Sequence, residues 1–290
     1  MTAAGEGLPV VFGVDAVKRT EAAVDRAADE AARRGVPLQL VHAVTPAFHH
    51  VPGVEETAHH KALRALGDEA LDEARLRVHE RLPDLGVTTF IADGTPAQVL
   101  VRQSRHAQLV VLGSRRLGRS AEMLSAASTA YPVSANAACP VAVVPETGSV
   151  VEEPAYLVVG VDGSRAADAA LDYALEAAAV RGISVRPVWV WQPPLLGPRD
   201  ERAETEKREA LLDEAVASRS ALHPDVPVTH AVLRGHPVEV LAEASAYAVA
   251  VVVGRRGREG FTGMRLGSVP HGLLHRAVCP VITVPGPAQG

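Results

Sequence analysis

A short stretch near the C-terminal end of the chain contains five glycines and a serine. The glycines are Gly254, Gly257, Gly260, Gly263 and Gly267, and Ser268 follows the last of them. Glycine serves where the backbone must adopt positive φ or come close to another group. The stretch follows the apolar run Val249–Val253 and precedes a segment with a helical pattern. Because backbone N–H groups at a helix start can hold an anion, the pattern predicts a phosphate-binding loop.

Four arginines lie in the same stretch, and they have two interpretations. Arg255, Arg256, Arg258 and Arg265 either form a solvated loop surface or include a residue that contacts phosphate. Guanidinium groups form strong charge-assisted hydrogen bonds with phosphate. Both interpretations stay open at this stage.

Four histidines, two cysteines and two tryptophans also stand out, and we expect them to have structural roles rather than chemical ones. The histidines at 49, 50, 59 and 60 suggest metal ligands, but they lie in a polar segment and we expect no metal site there. Cys139 and Cys279 each precede Pro-Val at matching places, which is typical of small buried residues. Trp189 and Trp191 share one face of a strand, and we expect both to pack under a helix.

The chain consists of two copies of one unit. The matching segments are Val10–Asp15 with Leu157–Asp162, Ala31–Gly35 with Ala178–Gly182, Gly94–Pro96 with Gly235–Pro237, Val110–Gly113 with Val251–Gly254, and Cys139–Val141 with Cys279–Val281. A stretch rich in Gly, Ser, Glu and Pro joins the copies near residues 146–154. We therefore expect two domains, residues 1–147 and 154–290.

Composition limits the class of protein. The chain has 290 residues, 47% of them hydrophobic, which is enough for two packed cores. A net charge of −5 with scattered basic residues argues against non-specific nucleic-acid binding. The N-terminus has no signal-peptide pattern, and no segment reaches about 18 uncharged apolar residues. We expect a cytoplasmic protein that does not bind membranes.

Each copy alternates strand and helix signals. In the second copy we expect strands at 157–162, 185–191, 228–233, 248–253 and 281–284, with helices at 164–182, 200–220, 237–246 and 269–277 between them. Valine-rich strands separated by helices predict an α/β fold of two tandem open parallel five-stranded sheets with helices on both faces. Ligands bind such sheets at the carboxyl ends of the strands.

The glycine spacing, G-x2-G-x9-G-S from Gly254 to Ser268, resembles that of a known family. The chain looks like a universal stress protein in its tandem, ATP-binding form, and the resemblance covers nearly all of it. Val159-Gly-Val-Asp-Gly-Ser164, the Gly235-x-Pro237 turn and Cys279-Pro-Val also fit the family. The resemblance implies a Rossmann-like fold of the adenine nucleotide alpha hydrolase type.

The resemblance also implies roles for residues of the second copy. Asp162 corresponds to the family residue that contacts adenine, and Val190 to the position that packs on the base. Gly254, Gly257 and Gly267, with Ser268 and the N–H of Val269, correspond to the loop around the ribose and phosphates. The implied ligand is ATP, with or without magnesium. We further predict that valine at Gly254 or Gly267 abolishes binding while leaving the fold intact.

The first copy departs from this pattern. Asp15, Gly113 and Ser128 correspond to site residues, but Arg116 replaces the second glycine of the loop. A Cβ at this position would crowd the phosphate region. We expect the first copy to bind ATP less well than the second.

Other nucleotide-binding classes do not fit. The P-loop string G-x-x-x-x-G-K-[ST] is absent, and so is G-x-G-x-x-G after the first strand. The signature loops of nucleotidyl transferases and ATP pyrophosphatases, which resemble His-x-Gly-His or Ser-Gly-Gly-x-Asp-Ser, are also missing.

Three functions remain open. The first is an ATP-binding, nucleotide-responsive regulatory or protective factor that is not an enzyme. The second is a slow ATPase or an ATP-dependent modifying enzyme that uses the same site, and the third is a dimerisation scaffold with an empty site. In each copy a last apolar strand ends at Pro145 or Pro285, and we expect these two strands to pair the domains within the chain. A further homodimer would use another surface.

Overall fold

The computed structural model describes residues 7–17, 21–45, 58–114, 129–146, 150–193, 200–258 and 265–287. The chain divides into two compact units, Met1–Glu146 and Thr147–Gly290. In the described residues, no helix is both long and apolar enough to span a bilayer.

The described part of the first unit alternates strands with helices. The strands lie parallel in the order β3-β2-β1-β4-β5. Their bounds are β1 (Val10–Gly13), β2 (Leu38–Val44), β3 (Val87–Asp93), β4 (Leu109–Ser114) and β5 (Val141–Pro145). The helices are α1 (Glu21–Arg34), α2 (Ala58–Arg81), α3 (Pro96–Gln103) and α4 (Ala130–Asn136), with a short 3-10 turn at Ser104–His106.

The described part of the second unit repeats this arrangement. Its strands lie parallel in the order β8-β7-β6-β9-β10. Their bounds are β6 (Tyr156–Val161), β7 (Ser184–Trp191), β8 (Ala231–Arg234), β9 (Ala250–Gly254) and β10 (Val281–Val284). The helices are α5 (Arg165–Arg181), α6 (Glu201–Ser220), α7 (Pro237–Ala244) and α8 (Ser268–Arg276). The predicted α/β class with two tandem sets of parallel strands is confirmed.

Strand β6 and helix α5 show why the second unit folds as it does. Four of the six residues of β6 form the continuous buried run Tyr156–Val159, as expected of a central strand covered on both faces. The hydroxyl of Ser164 caps α5 by accepting from the Ala167 N–H at 3.1 Å. The helix ends at Gly182, which adopts φ +64°. These two elements fix the turn between them, residues 162–164.

Strand β8 is shorter than the sequence pattern predicts. We expected a strand at 228–233, but regular pairing with β7 covers Ala231–Arg234. Val228 forms only an isolated bridge with Val185. β8 is the outermost strand in the order of its unit and pairs with β7 on one side. The apolar pattern at 228–233 therefore begins before the segment that pairs regularly.

The cysteines and tryptophans are part of the packed interior, as predicted. Cys139 and Cys279 are free thiols and both are buried. Burial raises the pKa of Cys139 to about 12. Trp189 is 6% exposed and Trp191 is 8% exposed, and the Arg208 guanidinium of α6 lies 4.9 Å from the Trp191 ring centroid. Both indoles are therefore buried, Trp191 beside α6 and Trp189 beside Gly163 of the β6–α5 turn.

Candidate functional site

The carboxyl ends of β6 and β9 meet where the order of the strands reverses. From β6 the chain winds outward through β7 and β8, and then returns to β9 on the other side. Asp162 directly follows β6, and Gly254 is the last residue of β9. The two strands pair with Gly160 opposite Val253. This is the topological switch point, the usual place for a ligand in such a sheet.

The Asp162 carboxylate joins two separate loops. Its Oδ1 accepts a hydrogen bond from the Ser164 N–H at 3.0 Å, within the turn that leads into α5. Its Oδ2 accepts from the Arg258 N–H at 3.0 Å, in the loop that follows β9. The side chain therefore ties the start of the glycine loop to the β6–α5 turn.

Gly254 and Gly257 are needed for contacts within the protein. A Cβ at Gly254 would lie 2.6 Å from the carbonyl carbon of Ala166 and 2.7 Å from its oxygen. Ala166 belongs to the first turn of α5. A Cβ at Gly257 would collide with Asp162 Oδ2. The expectation that valine at Gly254 leaves the fold intact is therefore wrong, because this glycine packs directly against a helix backbone.

Gly267 has a different environment. It is the residue before α8, with φ −70° and ψ 163°, a conformation that any residue adopts. Among the described residues, a Cβ there would have no neighbour closer than 3.5 Å. The Gly267 N–H donates to the Arg255 carbonyl at 2.9 Å, which brings the two ends of the glycine loop together. The described part of the fold gives no steric or conformational reason for glycine here.

Helix α8 begins directly after Gly267, with Ser268, Val269 and Pro270 in its first turn. The first amides of a helix have no intrahelical acceptor, and they carry the positive end of the helix dipole. Ser268 is exposed and Val269 is half-buried. The helix start therefore presents N–H groups and a hydroxyl to solvent beside the end of β9.

Several arginine side chains lie in this region. Burial, followed by the nearby guanidinium groups of Arg256 and Arg265, lowers the pKa of Arg255. The Arg258 guanidinium lies over the β6–α5 turn, 3.7 Å from where a Cβ on Gly163 would stand.

Val190 lies on the neighbouring strand, one residue before the end of β7. It is half-buried and packs against the core cluster that contains Leu241 of α7 and Leu273 of α8. Val269 packs against the same cluster. An apolar surface therefore adjoins the polar groups around Asp162 and α8.

The structure brings most of the predicted site residues to one edge. Asp162 contacts the loop that carries Gly257, and Gly267 is bonded to that loop at Arg255. Sequence reasoning missed the Arg258 amide as the partner of Asp162, and Ala166 as the neighbour of Gly254. Both contacts join distant segments, and no local pattern signals them.

In the first unit the corresponding positions are only partly described. Asp15 follows β1 and its Oδ1 accepts from the Val17 N–H at 2.9 Å, as Asp162 accepts from Ser164. Gly113 lies near the end of β4, opposite Val144 of β5. Ser128 and Arg116 lie outside the described residues. The switch point is thus present in this unit, and its glycine loop is the part that differs in sequence.

The histidine segment has one described contact with a carboxylate. His60 Nε2 lies 3.1 Å from Asp93 Oδ1 at the end of β3. His49 and His50 lie outside the described residues. Within the described ranges, no three His, Cys, Asp or Glu residues are grouped so that they could hold a metal ion.

Comparison with known proteins identifies the family. A family model described as Universal stress protein family matches residues 8–145 and again 156–285. A universal stress protein of Mycobacterium tuberculosis (strain ATCC 25618 / H37Rv) is 34% identical over 290 residues, which cover 94% of this chain and 95% of that protein. A universal stress protein of Mycolicibacterium smegmatis (strain ATCC 700084 / mc(2)155) is 33% identical over 293 residues, which cover 95% and 96%.

A solved structure supports the same fold. The universal stress protein from Archaeoglobus fulgidus DSM 4304 superposes with a TM-score of 0.70 at 17% identity, and the match covers 95% of this chain and 96% of that chain. At this identity the likeness shows the fold alone. The two family matches together span most of the sequence. The chain therefore belongs to the universal stress protein family, as a tandem of two family domains.

Proposed function

We propose that this chain is a cytoplasmic ATP-binding protein with a nucleotide-responsive regulatory or protective role in the stress response. The binding site is the edge of the second unit where β6, β9 and α8 meet. The proposal rests on the chemistry of that edge and on membership of the family.

The edge offers a partner for each part of the nucleotide. Each oxygen of the Asp162 carboxylate accepts one hydrogen bond from a backbone amide and keeps a further lone pair. The carboxylate can therefore also accept a hydrogen bond from the adenine N6 amine. Val190 offers an apolar surface to the base. The N–H groups of Ser268 and Val269, with the neighbouring arginines, are suited to phosphate oxygens. No lysine is required.

The observation that carries the proposal is Gly267. In the described part of the fold, a Cβ at this buried position would make only ordinary contacts of 3.5 Å or more, and the backbone conformation suits any residue. Gly254 and Gly257, by contrast, are explained by contacts within the protein. A glycine that the fold does not need, at a helix start beside an arginine cluster, is best explained by the close approach of a ligand.

The test is the variant Gly267→Ala, followed by Gly267→Val. We expect an unchanged melting temperature for the alanine variant and at least a tenfold loss of ATP affinity, about the effect of one lost charge-assisted hydrogen bond. Calorimetric titration with ATP measures the affinity. Gly86→Ala is a matched control, because a Cβ there also lies in ordinary contact, 3.7 Å from Pro37, in the other unit. An unaltered ATP affinity in both Gly267 variants would reject the site.

The two units are expected to differ in this assay. Gly113→Val should remove little of the bound ATP, because the first unit has Arg116 where the second has Gly257. Loss of most bound nucleotide in Gly113→Val would contradict the asymmetry.

We propose binding rather than rapid turnover, so the rate of ATP hydrolysis should fall below the 1–100 s⁻¹ that is typical of kinases. Magnesium-dependent turnover in that range, abolished by Gly267→Val, would favour the enzyme alternative.

A further inference from the structure

The Asp162 carboxylate connects two segments that are 96 residues apart in the chain. One oxygen accepts the Ser164 N–H and the other accepts the Arg258 N–H, each at 3.0 Å. Hydrogen bonds from amides to an ionised carboxylate are about twice as strong as neutral ones. The start of the glycine loop is thereby held on the β6–α5 turn by groups of the protein itself.

Gly257 is adapted to this carboxylate. A Cβ at residue 257 would collide with Asp162 Oδ2, so either the carboxylate or the loop would have to move and their connection would be disturbed. The second glycine of the motif is therefore explained by Asp162 itself.

The side chain of Arg258 lies beside the same turn. Its guanidinium is near Gly163, which adopts φ +73°. The backbone of residue 258 is held on the turn by Asp162, and Arg255 in the same segment accepts the Gly267 N–H.

We propose that Asp162 is a positioning residue, which sets the glycine loop in its binding geometry before the nucleotide arrives. This role rests on the proposed function, and it adds to any contact between Asp162 and the base. Asp162 then supports phosphate binding without touching phosphate, because it fixes residues 254–258, among which Arg255 accepts the Gly267 N–H at the start of α8. A preorganised loop loses less conformational freedom when the ligand binds.

The sequence of the first unit agrees with this role. Arg116 aligns with Gly257 in sequence. The first unit therefore lacks the glycine that makes room for the carboxylate in the second unit. The difference in this connection explains why ATP binding is expected mainly in the second unit.

Amide hydrogen exchange of the ligand-free protein tests the connection directly. In Asp162→Ala we expect the Arg258 amide to exchange about tenfold faster, since it loses a charge-assisted hydrogen bond. Asp15→Ala is the matched control in the first unit and should leave residues 254–258 unchanged. An unchanged Arg258 amide in Asp162→Ala would overturn the positioning role.

Binding of inorganic tripolyphosphate then separates positioning from base recognition, because this probe has no base. Removal of a negative charge would by itself strengthen the binding of an anion. If Asp162 positions the loop, Asp162→Ala should instead weaken tripolyphosphate binding, by about fivefold to tenfold. Unchanged or tighter binding would overturn the proposal.

A double-mutant cycle gives a third test. It measures thermal stability, so the hydrogen bond between the Arg258 amide and Asp162 does not have to be detected directly. Gly257→Ala should lower the melting temperature of the parent protein and should cost less in the Asp162→Ala background, because the clashing oxygen is gone. Equal costs in the two backgrounds would count against the contact. If the parent protein binds neither ATP nor tripolyphosphate, the proposed function fails, whereas the exchange and stability measurements still decide whether Asp162 positions the loop.

Discussion

Replacement of Gly254 by alanine is expected to damage the fold rather than the ligand contacts. The new Cβ would lie 2.6 Å from the Ala166 carbonyl carbon, 2.7 Å from its oxygen and 2.9 Å from its Cβ. These atoms belong to the first turn of α5, which the Ser164 hydroxyl caps at 3.1 Å. To relieve the clash, either the capped helix start or the end of β9 must move.

The size of the effect follows from the atoms that must move. Overpacking of a well-packed region costs about 1–3 kcal/mol. A backbone neighbour cannot rotate away as a side chain can, so we expect a value in the upper half of that range. For a unit of this size the melting temperature should fall by roughly 4–12 °C.

Scanning calorimetry and urea denaturation measure this loss. Gly267→Ala is the control in the same loop, because its Cβ would lie 3.5 Å or more from every described residue. We expect a lower melting temperature for Gly254→Ala and an unchanged one for Gly267→Ala. Wild-type stability of Gly254→Ala would refute the argument that Ala166 is the reason for this glycine.

Three further predictions concern the base, the thiols and pH. ATP should bind at least about tenfold tighter than GTP, because Asp162 can accept from the adenine amine but faces the acceptor O6 of guanine; equal affinities by calorimetry would contradict base recognition. Cys139, whose pKa is raised to about 12 by burial, should not react with Ellman's reagent in the native protein at pH 8, while guanidinium should release both thiols. Burial and the neighbouring His275 ring lower the pKa of His271, so the unfolded state binds more protons there and stability should fall as pH drops below about 6.5. Urea unfolding at pH 7.5 and 5.5 should show a smaller difference for His271→Gln than for the parent protein.

The sequence predicts the elements well because each leaves a periodic pattern. The apolar run before Asp162 predicts a strand at 157–162, and β6 covers Tyr156–Val161. The alternation of Trp189 and Trp191 with Val190 correctly predicts that both indoles are buried. Burial on both faces and repeated motifs are properties of neighbouring residues, which a single sequence displays directly.

The contacts between loops could not be predicted in the same way. The glycine spacing predicts that Gly254 and Gly257 lie close to a ligand, and this stays a prediction. The fold adds a second reason for both glycines, because a Cβ there would collide with Ala166 or Asp162. Glycine looks the same in sequence whether a ligand or another segment comes close to it, so the second reason becomes visible only in the folded chain.

Pro270 determines how many oxygens the start of α8 can hold. Proline has no N–H, and the His271 amide already donates to the Gly267 carbonyl at 3.1 Å. The first turn therefore offers the amides of Ser268 and Val269, two donors for the three non-bridging oxygens of a terminal phosphate. If a phosphate binds there, its third oxygen needs a donor from outside the helix backbone, such as the Ser268 hydroxyl or one of the arginines. Such a site has little redundancy, so the loss of one donor cannot be compensated by a neighbouring amide of the same helix.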